Sequence, residues 1–272
     1  MKLDKEVSFA YYQYDPSLGA AILFVILFVL ITAQASYVII RGRTWFLIPF
    51  VLGGFFEWIG YIGRAASAAA PYTVQALLLL LGQALLSASS YMLLGRIISL
   101  TDGAKYSIIP IRWLTTTFVA GDTISFVVQG VGGGMMASGN LDEIQHGQII
   151  VIIGLAVQLL FFSLFFVDGV MFHMHMNKRP SLNAGETKVP WRRYLYTLYA
   201  VSTLIMIRAI YRIIEYAEGN AGYLVSHEVF LYILDALLML AVMVLFAIVN
   251  PGKIDQYHPN DDGEKVTKDE AK

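Results

Sequence analysis

The 272-residue chain has no cysteine. That excludes a disulfide framework, a thiolate nucleophile and a cysteine-ligated metal. Charge is scarce as well: 14% of residues are charged, against about 25% in soluble domains. Nor does one sign dominate, since Lys and Arg total 19, Asp and Glu total 20, and the net charge is −1. A nucleic-acid partner would need a basic excess, a disordered chain would need fewer apolar residues, and a soluble enzyme of this size would need more polar surface. No Gly-x-Ser-x-Gly elbow, P-loop or dinucleotide fingerprint occurs. His146 and His227 lie near one membrane surface and His173 and His175 near the other, so no three-histidine metal site forms. The chain reads as a protein that is not an enzyme and carries no cofactor or metal.

What is abundant is apolar sequence, with 57% hydrophobic residues and a mean hydropathy of +0.62. A membrane-crossing helix needs about 20 such residues. Seven segments qualify, roughly Leu18–Ile40, Trp45–Gly63, Val74–Ile98, Trp113–Met135, Gln148–Phe172, Tyr194–Ile214 and Val229–Val249. Barrel strands are half that length with strict alternation, so the fold class is an all-α integral membrane protein with seven transmembrane helices. Arg41, Arg43, Lys105, Arg112, Lys178, Arg179, Lys188, Arg192 and Arg193 fall in loops one, three and five, whereas the other loops hold only Arg64. The positive-inside rule then places the amino terminus outside and the carboxyl terminus in the cytoplasm. Residues 1–17 form an extracellular segment, 18–251 the membrane domain and 252–272 a disordered cytoplasmic tail. Asn177–Pro190 reads as a flexible loop. A signal peptide cleaved near Ala33–Ala35 is the rival for the first segment, but Lys2 and Lys5 are offset by Asp4, Glu6 and Asp15, and the apolar run continues to Ile40. Trp45, Trp113, Trp191 and Tyr194 mark cytoplasmic span ends, where such rings anchor at the interface.

Ionisable residues inside spans cost about 2.5–3.5 kcal/mol each on insertion scales and so face protein or water. Here their spacing places them on single helix faces. Helix two offers Glu57, Tyr61 and Arg64; helix four Asp122, Ser125 and Gln129; helix six Arg208, Arg212 and Glu215; helix seven Glu228 and Asp235; helix three Gln83, Ser87 and Ser90. Given the orientation, five helices direct these stripes at one level, in the outer half or near the middle. Only Asp168, near the inner end of helix five, lies apart. A water-filled cavity open to the outside is the simplest arrangement. The alternative is packing alone, with Arg208 and Arg212 neutralising Glu57 and Asp235. Carboxylates outnumber arginines at that level, which suits a cationic head group or coupling protons. Gly132–Gly134 either allow close helix approach or break helix four, whereas Gly53, Gly54, Gly60 and Gly63 read as packing positions.

Longer patterns resemble a known family. Glu57, Gly60, Tyr61 and Arg64 form one block; Tyr91, Met92, Leu94, Gly95 and Arg96 another; Gly121, Asp122, Ser125 and Gln129 before the triple glycine a third. Gly154, Leu155 and Gln158 follow, then Arg208, Tyr211, Arg212 and Glu215 with Gly219 and Gly222-Tyr223-Leu224, then His227, Glu228, Tyr232 and Asp235. From Tyr14–Ser17 to Asn250–Gly252 the chain is similar to the fungal lipid-translocating exporters, the RTA-like or aminocholesterol-resistance family. The resemblance implies a seven-helix protein of a fungal membrane, often the plasma membrane, linked to movement of sphingoid long-chain bases, to resistance to toxic amphiphiles and in one branch to porphyrin uptake. Where many members have Ala-Pro in helix three, this chain has Gly82-Gln83.

The expected activity is that of a transporter or flippase-like facilitator of amphiphilic lipids, with sphingoid bases as the substrate. The expected partners are membrane lipid and an amphiphilic small molecule. Glu57, Asp122, Glu215 and Asp235 are expected to bind the amine or relay protons, with Arg208, Arg212, Gln129 and Glu228 completing the set. Tyr61, Arg64, Gln83, Tyr211 and Tyr232 are expected to line the cavity. Asp235→Asn is expected to abolish activity while leaving the fold intact. The alternative function is a seven-helix sensor of lipid stress that signals through His173–Arg193 and the tail.

Overall fold

The computed structural model describes residues 17–65, 69–101, 110–137, 141–178, 191–219 and 222–251. The expectations for residues 1–16, Lys105, the 179–190 loop and the 252–272 tail lie outside them. Among the described residues there are seven long helices: α1 (Leu18–Gly42), α2 (Ile48–Ala65), α3 (Ala69–Leu100), α4 (Ile111–Met136), α5 (Leu141–Asn177), α6 (Trp191–Glu218) and α7 (Glu228–Val249). A 3₁₀ turn, Trp45–Leu47, leads into α2, and one helical turn, Tyr223–Ser226, precedes α7.

Helix is what a long apolar run must form in lipid, because it satisfies its own backbone hydrogen bonds. The stops are local. α1 ends where Arg43 turns left-handed at φ 51° and its amide bonds back into the last turn. α7 ends where Asn250 does the same at φ 46°, just before Pro251. Six of the seven are long and apolar enough to cross a membrane. The other, α4, has 26 residues and so spans about 39 Å, but Thr115–Thr117, Asp122, Gln129 and its glycines dilute its apolar character.

The polarity of the bundle is inverted relative to a soluble protein. Ile22, Leu23, Ile26 and Leu30 of α1, Ile124, Val127 and Val131 of α4, and Ile153, Leu160 and Leu164 of α5 are exposed. Glu57, Arg208 and Asp235 are wholly buried. Such rows of exposed aliphatic side chains around buried charge need hydrocarbon as the solvent. The chain is an all-helical integral membrane protein.

Each helix packs on its sequence neighbours, α7 closes onto α1 and α6, and α3 lies inside against α2, α4 and α6. Small residues set the tight approaches. A methyl group on Gly132 of α4 would sit 2.6 Å from the Gly147 carbonyl of α5. Gly132 therefore serves close packing, whereas a methyl group on Gly134 would meet nothing within 4 Å, and α4 runs through the triple glycine unbroken. On α3, Tyr91 packs among Phe118, Phe162 and Phe165, with its ring centre 4.6 Å from that of Phe165. Trp45 and Trp113 are exposed at the arginine-rich end, as interface anchors require. Trp191 and Tyr194 are instead buried, Trp191 against the edge of His173. Position at a span end is the same for all four; only the rotation of α6 toward α5 separates them.

Candidate functional site

The charged stripes of α2, α6 and α7 and Gln83 of α3 meet at one level of the bundle, and Asp235 is their centre. Arg208 donates from Nε to Asp235 Oδ1 at 2.5 Å. Arg212 forks onto both oxygens of the same carboxylate, Nε to Oδ1 at 3.0 Å and Nη2 to Oδ2 at 2.8 Å. The Tyr61 hydroxyl donates to Oδ2 at 3.2 Å. Arg208 also holds the Gln83 side-chain carbonyl and reaches the Leu79 backbone oxygen at 3.4 Å. Arg212 continues to Glu215 through Nη1 at 3.0 Å.

Glu57 lies beside this network and is not bonded into it. It is fully buried, and neither carboxyl oxygen has a hydrogen-bond partner. Gly82 of α3 makes the space: a methyl group there would lie 2.9 Å from Glu57 Oε1. Both arginines thus bond Asp235 and neither bonds Glu57, whereas the packing alternative had the two arginines neutralise both acids.

A second layer lies seven residues further along α2 and α7, about 10 Å toward the same end of the bundle. There Arg64 pairs with Glu228 at 3.2 Å, and the Arg64 guanidinium lies over the Tyr232 ring, 5.5 Å from its centre. Glu228 also accepts from the Ser17 amide at 2.9 Å and 3.0 Å, which ties the start of α1 to the start of α7. Exposure rises in this direction. The Glu215 and Glu228 side chains are 12% and 16% exposed, against 0% for Asp235. Tyr211 is buried next to Arg212 in α6.

The residues of α4 do not join. Asp122 accepts from the Tyr91 hydroxyl at 2.9 Å, and Gln129 donates to Gln158 of α5 at 3.0 Å. The expectation of five convergent helices is corrected to four. The physical reason is that α4 packs on α3 and α5, so its polar face turns toward those helices. The expected open cavity is corrected as well. Glu57, Gln83, Arg208 and Asp235 are each at most 1% exposed, because ion pairs and aromatic rings fill the space between the helices. Phe24 stacks on Tyr232 with ring centres 5.3 Å apart, and Phe28 stacks on Tyr61 at 5.5 Å.

Sequence reasoning passed over Tyr91 and Gln158 as site residues, although both lie in the blocks quoted above. Their signal is a polar group in an apolar span with no same-helix partner. It passed over Asp235's local backbone altogether. Tyr232–Ala236 form a π-helical turn, which widens α7 where the carboxylate meets two guanidinium groups. Such turns recur at functional sites.

The chain matches the family model described as RTA1 like protein over residues 50–257. Protoporphyrin uptake protein 1 of Saccharomyces cerevisiae is 33% identical, over 88% of this chain and 91% of that protein. Protein RTA1 of the same yeast is 33% identical, over 89% of this chain and 85% of its own length. The yeast sphingoid long-chain base transporter RSB1 is 27% identical, over 82% of this chain and 68% of that protein. No solved structure matches.

Proposed function

The chain belongs to the RTA1-like family, and from that premise we propose that it moves amphiphilic lipids between the leaflets of a fungal plasma membrane. The cargo is a cationic amphiphile of the sphingoid-base type. All seven helices cross the membrane with the amino terminus outside, so the end bearing Arg64, Glu215 and Glu228 faces the exterior. Relatives named for a sphingoid base and for protoporphyrin support transport of an amphiphile as the general activity.

The observation that carries the reading is the charge balance of the buried network. Three carboxyl groups, Glu57, Glu215 and Asp235, stand against two guanidinium groups, Arg208 and Arg212, which pair with Asp235 and Glu215 and leave Glu57 unbonded. The surplus acid is what an ammonium head group neutralises. Arg208 and Arg212 hold Asp235 in place, and Glu215, at the exposed margin, meets the amine first. The alkyl chain stays in contact with lipid along the apolar helix faces. No nucleotide-binding motif occurs in the sequence, and the movement is passive, proton-coupled or indirect.

Flux of a fluorescent sphingoid base between leaflets of liposomes containing the purified chain tests this. Wild-type protein is expected to exceed protein-free liposomes several-fold. Glu215→Gln is expected to lower the rate roughly tenfold, the effect of about 1.4 kcal/mol of lost attraction. Equal rates with and without folded protein would refute transport and leave ligand sensing as the activity to examine.

A further inference from the structure

Asp235 and Glu57 are unequally served by the same arginine pair. Asp235 accepts four hydrogen bonds, from Arg208, twice from Arg212, and from Tyr61. Among the described residues Glu57 is the one carboxyl group with both oxygens buried and without a donor. An ionised carboxylate left so in a low-dielectric interior carries a large desolvation cost, and a neutral carboxyl group does not. Were Arg208 to leave Asp235, the latter would keep the Arg212 fork and Tyr61, so the exchange breaks a single bond at Asp235. Gln83 and the Leu79 carbonyl hold the Arg208 guanidinium against α3, the helix whose Gly82 cradles the Glu57 carboxyl, so Arg208 is the cation held on the same helix as that carboxyl.

The charged or titratable groups facing Glu57 are Arg208 and Arg212 of α6, Asp235 of α7 and Tyr61 of its own helix. From α3 comes the neutral Gln83, and α1 contributes the phenyl rings of Phe24 and Phe28 against Tyr61. With a proton on Glu57 the network sums to zero, since Asp235 and Glu215 balance Arg208 and Arg212. Without it the sum is −1.

The backbone of α7 supplies a joint. Asp235 sits in the π turn Tyr232–Ala236. Ahead of that turn lies only the four-residue helix Glu228–Leu231, preceded by extended His227 at φ −118°. A π turn holds one residue more than an α turn, and reversion to α geometry rotates the segment on one side by about 100°.

We propose that Glu57 is a proton-binding site that exchanges its proton for the ammonium of the cargo, with Arg208 passing from Asp235 to Glu57 between the two states and the π turn of α7 as the joint. In the step outward, the O–H bond of the Glu57 carboxyl breaks, the proton passes to water at the Glu228 end, and the carboxylate accepts N–H donors from Arg208. The network is then one charge negative, and a cargo ammonium restores neutrality. Proton and ammonium exclude each other, so one is exchanged for one. The exchange rests on the transport reading above; the proton site does not.

Infrared difference spectra between acid and alkaline buffers, recorded on the reconstituted full chain, test the proton site without reference to transport. Wild type is expected to show the carbonyl-stretch band of a protonated carboxyl that titrates away. Glu57→Gln is expected to lose it, while Glu57→Asp, which keeps the titratable group, and Asp122→Asn are expected to keep it. Survival of the band in Glu57→Gln, or its loss in Asp122→Asn instead, would overturn the assignment. In the liposome assay, an acidic compartment opposite the amine is expected to speed wild-type flux, and Glu57→Gln is expected to lose that acceleration. An unchanged acceleration in Glu57→Gln would overturn the exchange. A band that behaves as expected in protein showing no flux under any gradient would sustain the proton site and refute transport.

Discussion

Asp235→Asn removes one negative charge at constant shape, and the structure makes its consequence large. The carboxylate is fully buried and receives Arg208 at 2.5 Å, Arg212 at 2.8 Å and 3.0 Å, and Tyr61 at 3.2 Å. Asparagine accepts through one oxygen only and turns N–H groups toward guanidinium. Arg208, with no exposed surface, and Arg212, 5% exposed, would then have Glu215 as their ionised counter-charge, and Glu57 would have to give up its proton to serve as another. Two magnitudes compete. Interhelical hydrogen bonds between neutral groups in membranes contribute about 0.6 kcal/mol each, whereas breaking a buried ion pair from one side costs about 3–5 kcal/mol. The second governs, because charge and not only a hydrogen bond is left unpaired. It corresponds to a loss of roughly two to three and a half orders of magnitude in the folding equilibrium. Unfolding in mixed micelles by added dodecyl sulfate, followed by circular dichroism, measures it. Combining Asp235→Asn with Arg208→Gln is expected to recover part of the loss, since it removes one orphaned charge, and the double-mutant cycle isolates that coupling. A single mutant within about 0.6 kcal/mol of wild type would refute Asp235 as the centre of the network. The expectation that this variant keeps its fold, natural from the sequence, is revised on these contacts.

Two further outcomes follow from packing. Gly82→Ala places a methyl group 2.9 Å from Glu57 Oε1 and 3.2 Å from the Gly53 carbonyl; overpacking of this kind costs about 1–3 kcal/mol, visible as a lower melting temperature, and a stability equal to wild type would show that α2 and α3 separate freely there. Gln129→Leu alone is expected to cost about 1–2 kcal/mol by stranding the Gln158 carbonyl, whereas Gln129→Leu with Gln158→Leu is expected to be nearly neutral; a double mutant as damaged as the single would show that the pair at 3.0 Å is not the interaction lost.

The solvent in which this chain folds was legible from its composition. Apolar runs of about 20 residues located the seven helices to within a few residues, apart from the extensions of α3, α5 and α6 beyond the apolar runs. Spacing of three and four located the stripes as well. Glu57, Tyr61 and Arg64 do share a face, as do Arg208, Arg212 and Glu215, because i,i+3 and i,i+4 neighbours align on any α-helix. Those are local properties, and a sequence states them directly.

Pairing across helices is not local. It depends on how each helix is rotated and at what depth it stands, and these follow from contacts between residues far apart in the chain. Asp122 and Asp235 look alike in sequence, each an acid in an apolar span. The packing of α4 on α3 and α5 gives Asp122 a tyrosine, while the convergence of α6 and α7 gives Asp235 two arginines. Glu57 receives none, since the glycines that admit its carboxyl hold α2 against α3 while the guanidinium groups are drawn to α7. Nor does the π turn that presents Asp235 have a signature in Tyr232–Ala236. The sequence alone settled that charge is buried in lipid and on which helix faces. Which carboxylate holds the arginines, and which is left to take a proton, was decided by tertiary structure, because two cations cannot satisfy three acids and only the packing of four helices chooses among them.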